Sequence, residues 1–147
     1  MTFESECIFC RIVRGETEAH VIYRDDRVTA FLDIHPVTRG HLLVVPHRHA
    51  PDLASLQPQD AAAMVEAAQA LAAALRRAPL GVDGVNLHLA DGVIAGQSVF
   101  HAHLHVIPRY TGDGFGFRRP LGTAEAAQSE LAAVADQIRS SVGQGAS

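Results

Sequence analysis

The 147-residue sequence has little of what several classes of protein require. It contains only two cysteines, too few for the disulfide framework of a secreted domain and suited to a reducing compartment. Lys and Arg total 12 and the formal net charge is −4, so the basic surface of a protein that binds long nucleic acids is missing. Small phosphorylated ligands stay possible, because one phosphate needs only a few local donors.

Long apolar runs are also missing. No stretch approaches the ~20 apolar residues that a membrane span requires, and no basic segment precedes an apolar one at the N-terminus. We therefore expect a cytoplasmic protein that binds no membrane. The hydrophobic fraction of 48% is enough for a packed core. We expect one domain over residues 1–140 and a flexible tail over 141–147.

Hydrophobic spacing and turn residues predict a chain of mixed helices and strands. The helical spacing of apolar residues predicts helices at 7–14, 58–77 and about 123–138. Segments of β-branched and aromatic residues between turn signals predict strands at 20–24, 28–33, 41–45, 85–89 and 99–107. The long helix has a single apolar face, so it is predicted to pack over the sheet.

Nine histidines are unusually many for this length, and three of them alternate with apolar residues. In a strand, the spacing of His101, His103 and His105 predicts that the three imidazoles share one face. A solvated strand face and a ladder of metal ligands are the alternatives. A neutral imidazole can attack phosphorus and a neighbouring imidazolium can donate to phosphate oxygens, so the pattern favours a phosphate site.

A short polar segment, Gly96-Gln97-Ser98, precedes this pattern and offers a close backbone approach, an amide and a hydroxyl to a phosphate. The stretch GQSVFHAHLHVIPR, which contains both features, resembles the signature of the histidine triad (HIT) family. The resemblance extends in the expected order to CIFCRIVRGE, VTAFLDIHPVTRGHLLVVPHRH and RYTGDGFGF. It is closest to the bacterial Hint-like branch. It implies an α+β, HIT-like fold: a five-stranded antiparallel sheet with one long helix and short N- and C-terminal helices.

The same resemblance implies roles for individual catalytic residues. His103 matches the family's nucleophile, which forms a covalent nucleotidyl-histidine that water then hydrolyses. His105 matches a position that contacts and polarises the phosphate, whereas Ser98 and Gln97 match positions near the phosphate and the leaving group. His41 matches a fourth histidine that orients the triad, and a packing role is its alternative. Either His105 or Ser98 can protonate the leaving group, and the sequence leaves both open.

The nucleoside is expected to bind next to these groups. Asp33 matches the family's ligand for the ribose hydroxyls, and Gly96 lies in the phosphate-binding segment. Apolar side chains that are expected to hold the base, each with ordinary core packing as its alternative, are Phe9, Ile12, Phe31, Ile34 and Leu43. Ala90 departs from the family, because many relatives carry an asparagine there, so substrate preference and turnover are expected to differ.

A zinc site is expected beside the catalytic residues. Cys7 and Cys10, spaced C-x-x-C, are alone only a moderate zinc signal, because two thiols also suit a redox pair. The resemblance adds His49 and His101 as the remaining ligands of a closed, structural Cys2His2 site, with His47 as the alternative to His49. His101 is thus a candidate both for the catalytic triad and for the metal.

Together these features predict a nucleotidyl hydrolase that releases purine nucleoside monophosphates from a leaving group, with nucleoside phosphoramidates or related AMP conjugates as substrates. Alternatives are a dinucleoside polyphosphate hydrolase or phosphorylase, and a nucleotide-binding interaction protein with incidental turnover. A hydrolase that uses the triad as metal ligands is a further alternative.

The resemblance also implies a homodimer that pairs through the long-helix region and an adjoining strand. The segment GDGFGFRR is expected either to reach the partner's site or to be a plain surface loop.

Overall fold

The computed structural model describes residues 3–143, and the chain divides into two compact units between Phe115 and Gly116. The first unit contains two helices and five strands. In chain order they are α1 (Ile8–Val13), β1 (Val21–Arg24), β2 (Val28–Leu32), β3 (Leu42–Pro46), α2 (Pro58–Arg77), β4 (Gly84–His88) and β5 (Leu104–Arg109).

The strands form one antiparallel sheet in the order β1-β2-β3-β5-β4. The predicted α+β fold with a five-stranded antiparallel sheet is therefore confirmed. The predicted bounds of α2 are also confirmed, because Pro58 stands in its first turn and the apolar face continues to its last turn. The other bounds shift by one or two residues, except in β5 and in the helix predicted at about 123–138.

The sheet is covered on both faces, because successive side chains of a strand point to opposite sides. One face packs against α2, and its buried members include Val28, Ala30, Val44, Leu104 and Val106. The opposite face packs against α1 through Phe9, Ile12, Val13, Phe31, Leu43 and Val45. The second face also carries the histidines that the sequence singles out, so the short helix α1 lies beside the candidate site.

The predicted strand at 99–107 is shorter than expected, since β5 begins only at Leu104. The pairing of β3 with β5 ends at the pair Val44 and Leu104. Pro46, at the end of β3, has no backbone N–H with which to continue the ladder. The segment before β5 instead bonds to a loop, where the Ala102 N–H donates to the Ala50 carbonyl oxygen at 2.7 Å.

The second unit contains the helix α3 (Gln128–Ser141), which begins later than the predicted residue 123. Thr123 does not cap a helix, because its hydroxyl and its backbone N–H both donate to the Pro120 carbonyl oxygen. No residue of α3 is buried. The predicted tail at 141–147 lies partly outside the described residues. None of the helices within residues 3–143 is long and apolar enough to cross a bilayer.

Candidate functional site

A cavity of about 370 Å³ opens on the face of the sheet that α1 covers. His103 and His105 line it together with Ser98 and Asp33. The predicted base-binding side chains also line it, and these are Phe9, Ile12, Phe31, Ile34 and Leu43. The cavity thus combines an apolar wall with a small set of polar groups, which is typical of a site for a small organic ligand.

One ring nitrogen of His103 is engaged by the protein and the other is not. The Nδ1–H of His103 donates to the carbonyl oxygen of His101 at 2.8 Å. In the neutral ring Nε2 then carries the lone pair. The ring is held between Phe9 and His105, with centroid distances of 5.1 and 4.9 Å. The geometry therefore presents Nε2 as a nucleophile in a fixed orientation.

A chain of hydrogen bonds fixes the state of His105. The Val37 N–H donates to Nδ1 of His41 at 3.1 Å, so the hydrogen of the neutral His41 ring lies on Nε2. That Nε2–H donates to Nδ1 of His105 at 2.8 Å. In the neutral His105 ring the hydrogen therefore lies on Nε2, which makes His105 a hydrogen-bond donor beside His103.

Asp33 connects the histidines of the cavity with the turn that follows β2. One carboxylate oxygen accepts the His35 N–H at 2.8 Å, and the other lies 3.7 Å from Nε2 of His41. Asp33, His41 and His105 lie close enough together to resemble a metal site. The hydrogen bond from Val37 argues against that role, because a metal on Nε2 of His41 would require Nδ1 to carry the hydrogen.

Burial keeps these histidines neutral. Burial, with smaller contributions from the charges of His103 and His41, lowers the pKa of His105 to about 4. Burial also lowers the pKa values of His103 and His41, although Asp33 opposes the shift in both. At neutral pH the nucleophile candidate is therefore uncharged and does not need to lose a proton before it attacks.

The segment before β5 contributes less to the cavity than the sequence predicts. Ser98 lines it, but the amide of buried Gln97 is occupied by the loop: its oxygen accepts the Gly92 N–H, and its nitrogen donates to the Pro51 and Val99 carbonyl oxygens. Gln97 thus braces the loop instead of facing a phosphate. Gly96 has a φ of +98° and ends a 3₁₀ turn at Val93–Ala95. The left-handed conformation explains why glycine stands there.

His101 leaves the cavity and joins a second cluster of side chains. Its Nδ1 lies 3.5 Å from Cys7 Sγ, 3.4 Å from Cys10 Sγ and 3.2 Å from His49 Nδ1. Zinc bonds of about 2.0–2.3 Å at tetrahedral angles separate ligand atoms by about 3.3–3.8 Å. The three distances from His101 Nδ1 are close to this range, and all four ligand atoms lie within 4.8 Å of one another, so the cluster is compatible with a zinc ion.

Hydrogen bonds around this cluster fit the same metal. Nε2 of His101 donates to the Pro46 carbonyl oxygen at 2.9 Å, which leaves the Nδ1 lone pair for a metal. Burial, with a smaller contribution from neighbouring Cys7, raises the pKa of Cys10 to about 12, so its thiolate needs a cation beside it. His47 instead bonds to the Thr29 hydroxyl at 2.9 Å, so His49 belongs to the cluster and His47 does not.

Several groups at the cavity were not singled out from the sequence. Thr17, Glu18 and Ala19, from the connection between α1 and β1, line it. The ring of His88 lies 5.7 Å from that of His105, because β4 pairs with β5 at these two residues. Only the register of the strands could have shown this neighbour. Ala90, which replaces a family asparagine, is buried and does not line the cavity.

Sequence comparisons agree with this architecture. A family model described as the HIT domain matches residues 14–112. Protein hit of Bacillus subtilis is 43% identical over 113 residues, which are 75% of this chain and 76% of that protein. Adenylylsulfatase HINT3 of Arabidopsis thaliana is 39% identical over 108 residues, which are 74% of this chain and 54% of that protein.

Solved structures agree as well. A Zn-bound histidine triad family protein from Mycobacterium smegmatis is 41% identical, with a TM-score of 0.74 and coverage of 94% of this chain and 99% of that chain. A histidine triad nucleotide-binding protein from Candida albicans is 26% identical, with a TM-score of 0.83 and coverage of 94% and 98%. The family model, the fold and the two histidines at the cavity, His103 and His105, lead to one assignment: this chain belongs to the HIT family.

Proposed function

We propose that this protein is a nucleotidyl hydrolase that releases a purine nucleoside monophosphate from its leaving group through a covalent intermediate on His103. The observation that carries the proposal is the engaged Nδ1 of His103, which leaves the Nε2 lone pair available beside a donor, His105. Membership of the HIT family and the similarity to the histidine triad nucleotide-binding protein of Candida albicans support a nucleotide as the ligand.

In the first step, the Nε2 lone pair of His103 forms a bond to the α-phosphorus. The bond from phosphorus to the leaving nitrogen or oxygen breaks, and the leaving group takes its electron pair and a proton. The Nε2–H of His105 stabilises the negative charge that develops on the phosphate oxygens. The proton comes from His105 or from the Ser98 hydroxyl, both of which line the cavity.

In the second step, water attacks the phosphorus of the nucleotidyl-histidine. The bond between Nε2 and phosphorus breaks, the nucleoside monophosphate leaves, and the water proton returns to the group that protonated the leaving group in the first step. The Nδ1–H of His103 stays on the His101 carbonyl throughout, so the ring keeps its orientation while charge develops on it.

The rest of the cavity suits a nucleoside. Asp33 accepts hydrogen bonds from the ribose hydroxyls, since a carboxylate offers only acceptors. Phe9, Ile12, Phe31 and Leu43 pack on the faces of the base, and Ile34 lies at the exposed rim. A purine buries more apolar area against such walls than a pyrimidine does, which favours purine substrates.

Zinc is proposed as a structural ion held by Cys7, Cys10, His49 and His101. The fit of the four ligand atoms supports it, as does the Zn-bound relative from Mycobacterium smegmatis. Because all four coordination positions would be filled by protein side chains, such an ion would stabilise the fold and would not activate water. It would join α1 to the segment before β5, in which the His101 carbonyl accepts the hydrogen bond from His103.

The leaving group distinguishes the candidate substrates. Nucleoside phosphoramidates and related AMP conjugates are the main proposal. Dinucleoside polyphosphates are the alternative, and the name of the Arabidopsis relative adds a nucleoside monophosphate joined to sulfate as a compound worth testing. Rates for the three classes, measured at equal concentration, rank them. A binding protein with incidental turnover would hydrolyse all three slowly while binding the product nucleotide well.

The decisive experiment traps the intermediate. The protein is mixed with an adenosine phosphoramidate, quenched in acid-free denaturant during turnover, and its intact mass is measured. We expect an adduct of one nucleoside monophosphate in the wild type and none in His103→Ala, with turnover reduced at least about 10⁴-fold, as for loss of other catalytic nucleophiles.

The control is His20→Ala, because His20 is exposed and does not line the cavity. This variant should retain both adduct and turnover. Circular dichroism establishes that the His103 variant is folded. Normal turnover in folded His103→Ala, or an adduct mapped to another residue, would contradict the proposed mechanism.

A further inference from the structure

The connection between α1 and β1 adds polar groups to a wall of the cavity that is otherwise apolar. Thr17 and Glu18 both line the cavity there, next to Ala19. Neither has a role in the phosphate or ribose chemistry proposed above. Both lie beside the apolar side chains Ile8, Phe9 and Ile12, which form the wall for the base.

The register of the sheet separates this connection from the catalytic histidines. His105 on β5 pairs with Leu43 on β3, Leu43 pairs with Phe31 on β2, and Phe31 pairs with Val21 on β1. Three strand spacings of about 4.8 Å each span roughly 14 Å. A nucleotide with its phosphate at His105 and its base over Phe31 therefore extends its far edge toward β1 and the connection before it, in which Glu18 lines the cavity.

The Glu18 carboxylate is available to a ligand. It is exposed, and within residues 3–143 it makes no hydrogen bond or ion pair. The neighbouring Thr17 hydroxyl is buried and likewise has no partner among the described groups.

A carboxylate discriminates between the two purines. It has acceptors only, and the Watson–Crick edge of guanine presents two adjacent donors, N1–H and the exocyclic N2–H. The same edge of adenine presents one donor beside the N1 lone pair, which repels a carboxylate oxygen. A bidentate, charge-assisted pair is therefore available to guanine and not to adenine.

We propose that the Glu18 carboxylate accepts hydrogen bonds from the Watson–Crick edge of the base and makes this protein selective for guanosine nucleotides over adenosine nucleotides. The inference rests on the proposed function for the placement of the phosphate and names the substrate class for the same cavity. Glu18 acts on the bound base and takes no part in the transfer of the nucleotidyl group.

The test compares guanosine and adenosine phosphoramidates that carry the same amine. We expect the wild type to favour guanosine in kcat/KM by roughly tenfold, the size of one charge-assisted hydrogen bond. In Glu18→Gln the amide offers one donor and one acceptor, which match adenine. The preference should therefore disappear or reverse, while kcat for either substrate changes little.

Glu66→Gln is the matched control, because it removes an exposed carboxylate from α2 away from the cavity. It should retain the wild-type preference. Equal kcat/KM for the two bases in the wild type, or the same preference in wild type and Glu18→Gln, would overturn the inference and leave the hydrolase proposal intact.

Binding measurements separate the two proposals when turnover is absent. Calorimetric titration with GMP and with AMP reports the base preference without any chemistry. A protein that hydrolyses neither phosphoramidate contradicts the hydrolase proposal. If that protein still binds GMP more tightly than AMP, and Glu18→Gln removes the difference, the inference stands. Equal affinities overturn it.

Discussion

The orientation of His103 depends on a backbone carbonyl, and that of His105 depends on a side chain. The His101 carbonyl holds Nδ1 of His103, whereas His41 and the Val37 N–H set the hydrogen on His105. Both rings are kept neutral by burial, which lowers their pKa values. Two adjacent imidazoles thus present opposite hydrogen-bonding character to one cavity, one as lone pair and one as donor.

The pH dependence of turnover follows from these pKa shifts. Attack requires neutral His103, and burial lowers its pKa below the ordinary value of about 6.5. His103 is therefore protonated at a lower pH than an exposed histidine is. We expect kcat/KM to stay level down to pH 6.5 and to decline below it. Rates between pH 4.5 and 8 measure this, and a decline centred above pH 6.5 would refute it.

Asp33→Asn provides a directional check on the same profile. The Asp33 charge raises the pKa values of His103, His105 and His41, so its removal lowers all three. The acid limb of kcat/KM should move to lower pH, while KM rises because a ribose ligand is altered. Asp26→Asn, on the turn between β1 and β2, should leave the limb unchanged. An upward shift in Asp33→Asn would contradict the electrostatic assignment.

Much of this site could be anticipated from the sequence, since the alternation of histidines with apolar residues survives in the structure. Leu104 and Val106 face α2 while His105 faces the cavity. The sequence could not show which polar side chains already form hydrogen bonds within the protein and so do not face the cavity. Gln97 resembles a phosphate ligand until its amide is seen to be used by the Gly92, Pro51 and Val99 backbone.

At the scale of elements, the short stretch between residue 99 and β5 links two sites. It ends the strand early, turns the His101 ring toward the two cysteines, and leaves the His101 carbonyl on the cavity side with His103. An uninterrupted strand would have placed all three histidines on one face, as the sequence predicts. The departure is caused by Pro46, which cannot extend the β3–β5 ladder.

Removal of zinc should test this link. A ligand present at about 1,000 times its Kd stabilises a fold by about 4 kcal/mol, or roughly 10 °C in Tm for a domain of this size. We expect a chelator to lower Tm by that order and zinc to restore it. Turnover per folded molecule at 25 °C should change by less than about tenfold, because the ion is not part of the chemistry.

Cys10→Ser should reproduce the lower Tm and make it insensitive to chelator. Complete and immediate loss of turnover on chelation, with the fold intact by circular dichroism, would instead favour a hydrolase that uses the histidines as metal ligands. A Tm that is unaffected by both treatments would show that the Cys/His cluster holds no zinc in solution.

At the scale of the whole molecule, β4 lies at an edge of the sheet and carries exposed Leu87. α2 likewise exposes Val65. An edge strand leaves one row of backbone groups unpaired, and proteins cover or pair such edges. We infer from these features a homodimer that pairs through β4 and α2.

Sedimentation at several concentrations should therefore give twice the chain mass of 15.7 kDa. Val65→Glu and Leu87→Glu together should produce monomers, because each would place a charge in the apolar interface. Ile22→Glu, which changes an exposed residue on β1 at the opposite edge, should leave the dimer intact. A monomeric wild type at all concentrations would contradict the prediction.

The order of the strands is a property that the sequence signals only indirectly. Each strand is recognisable from its own residues, but the insertion of β5 between β3 and β4 depends on long-range pairing. That insertion brings His88 to His105, so a histidine that the sequence analysis did not single out is a neighbour of the site. The α+β class follows from local patterns, whereas the neighbours of each catalytic group do not.

The bond from His103 to the carbonyl of residue 101 has a consequence for mutational tolerance. Every amino acid carries that backbone carbonyl. Replacement of His101 would therefore remove the imidazole that contacts Cys10, but it would keep the carbonyl oxygen that accepts the hydrogen bond from His103. Lineages can therefore lose the four residues of the Cys/His cluster through successive substitutions and still keep the hydrogen bond that orients His103.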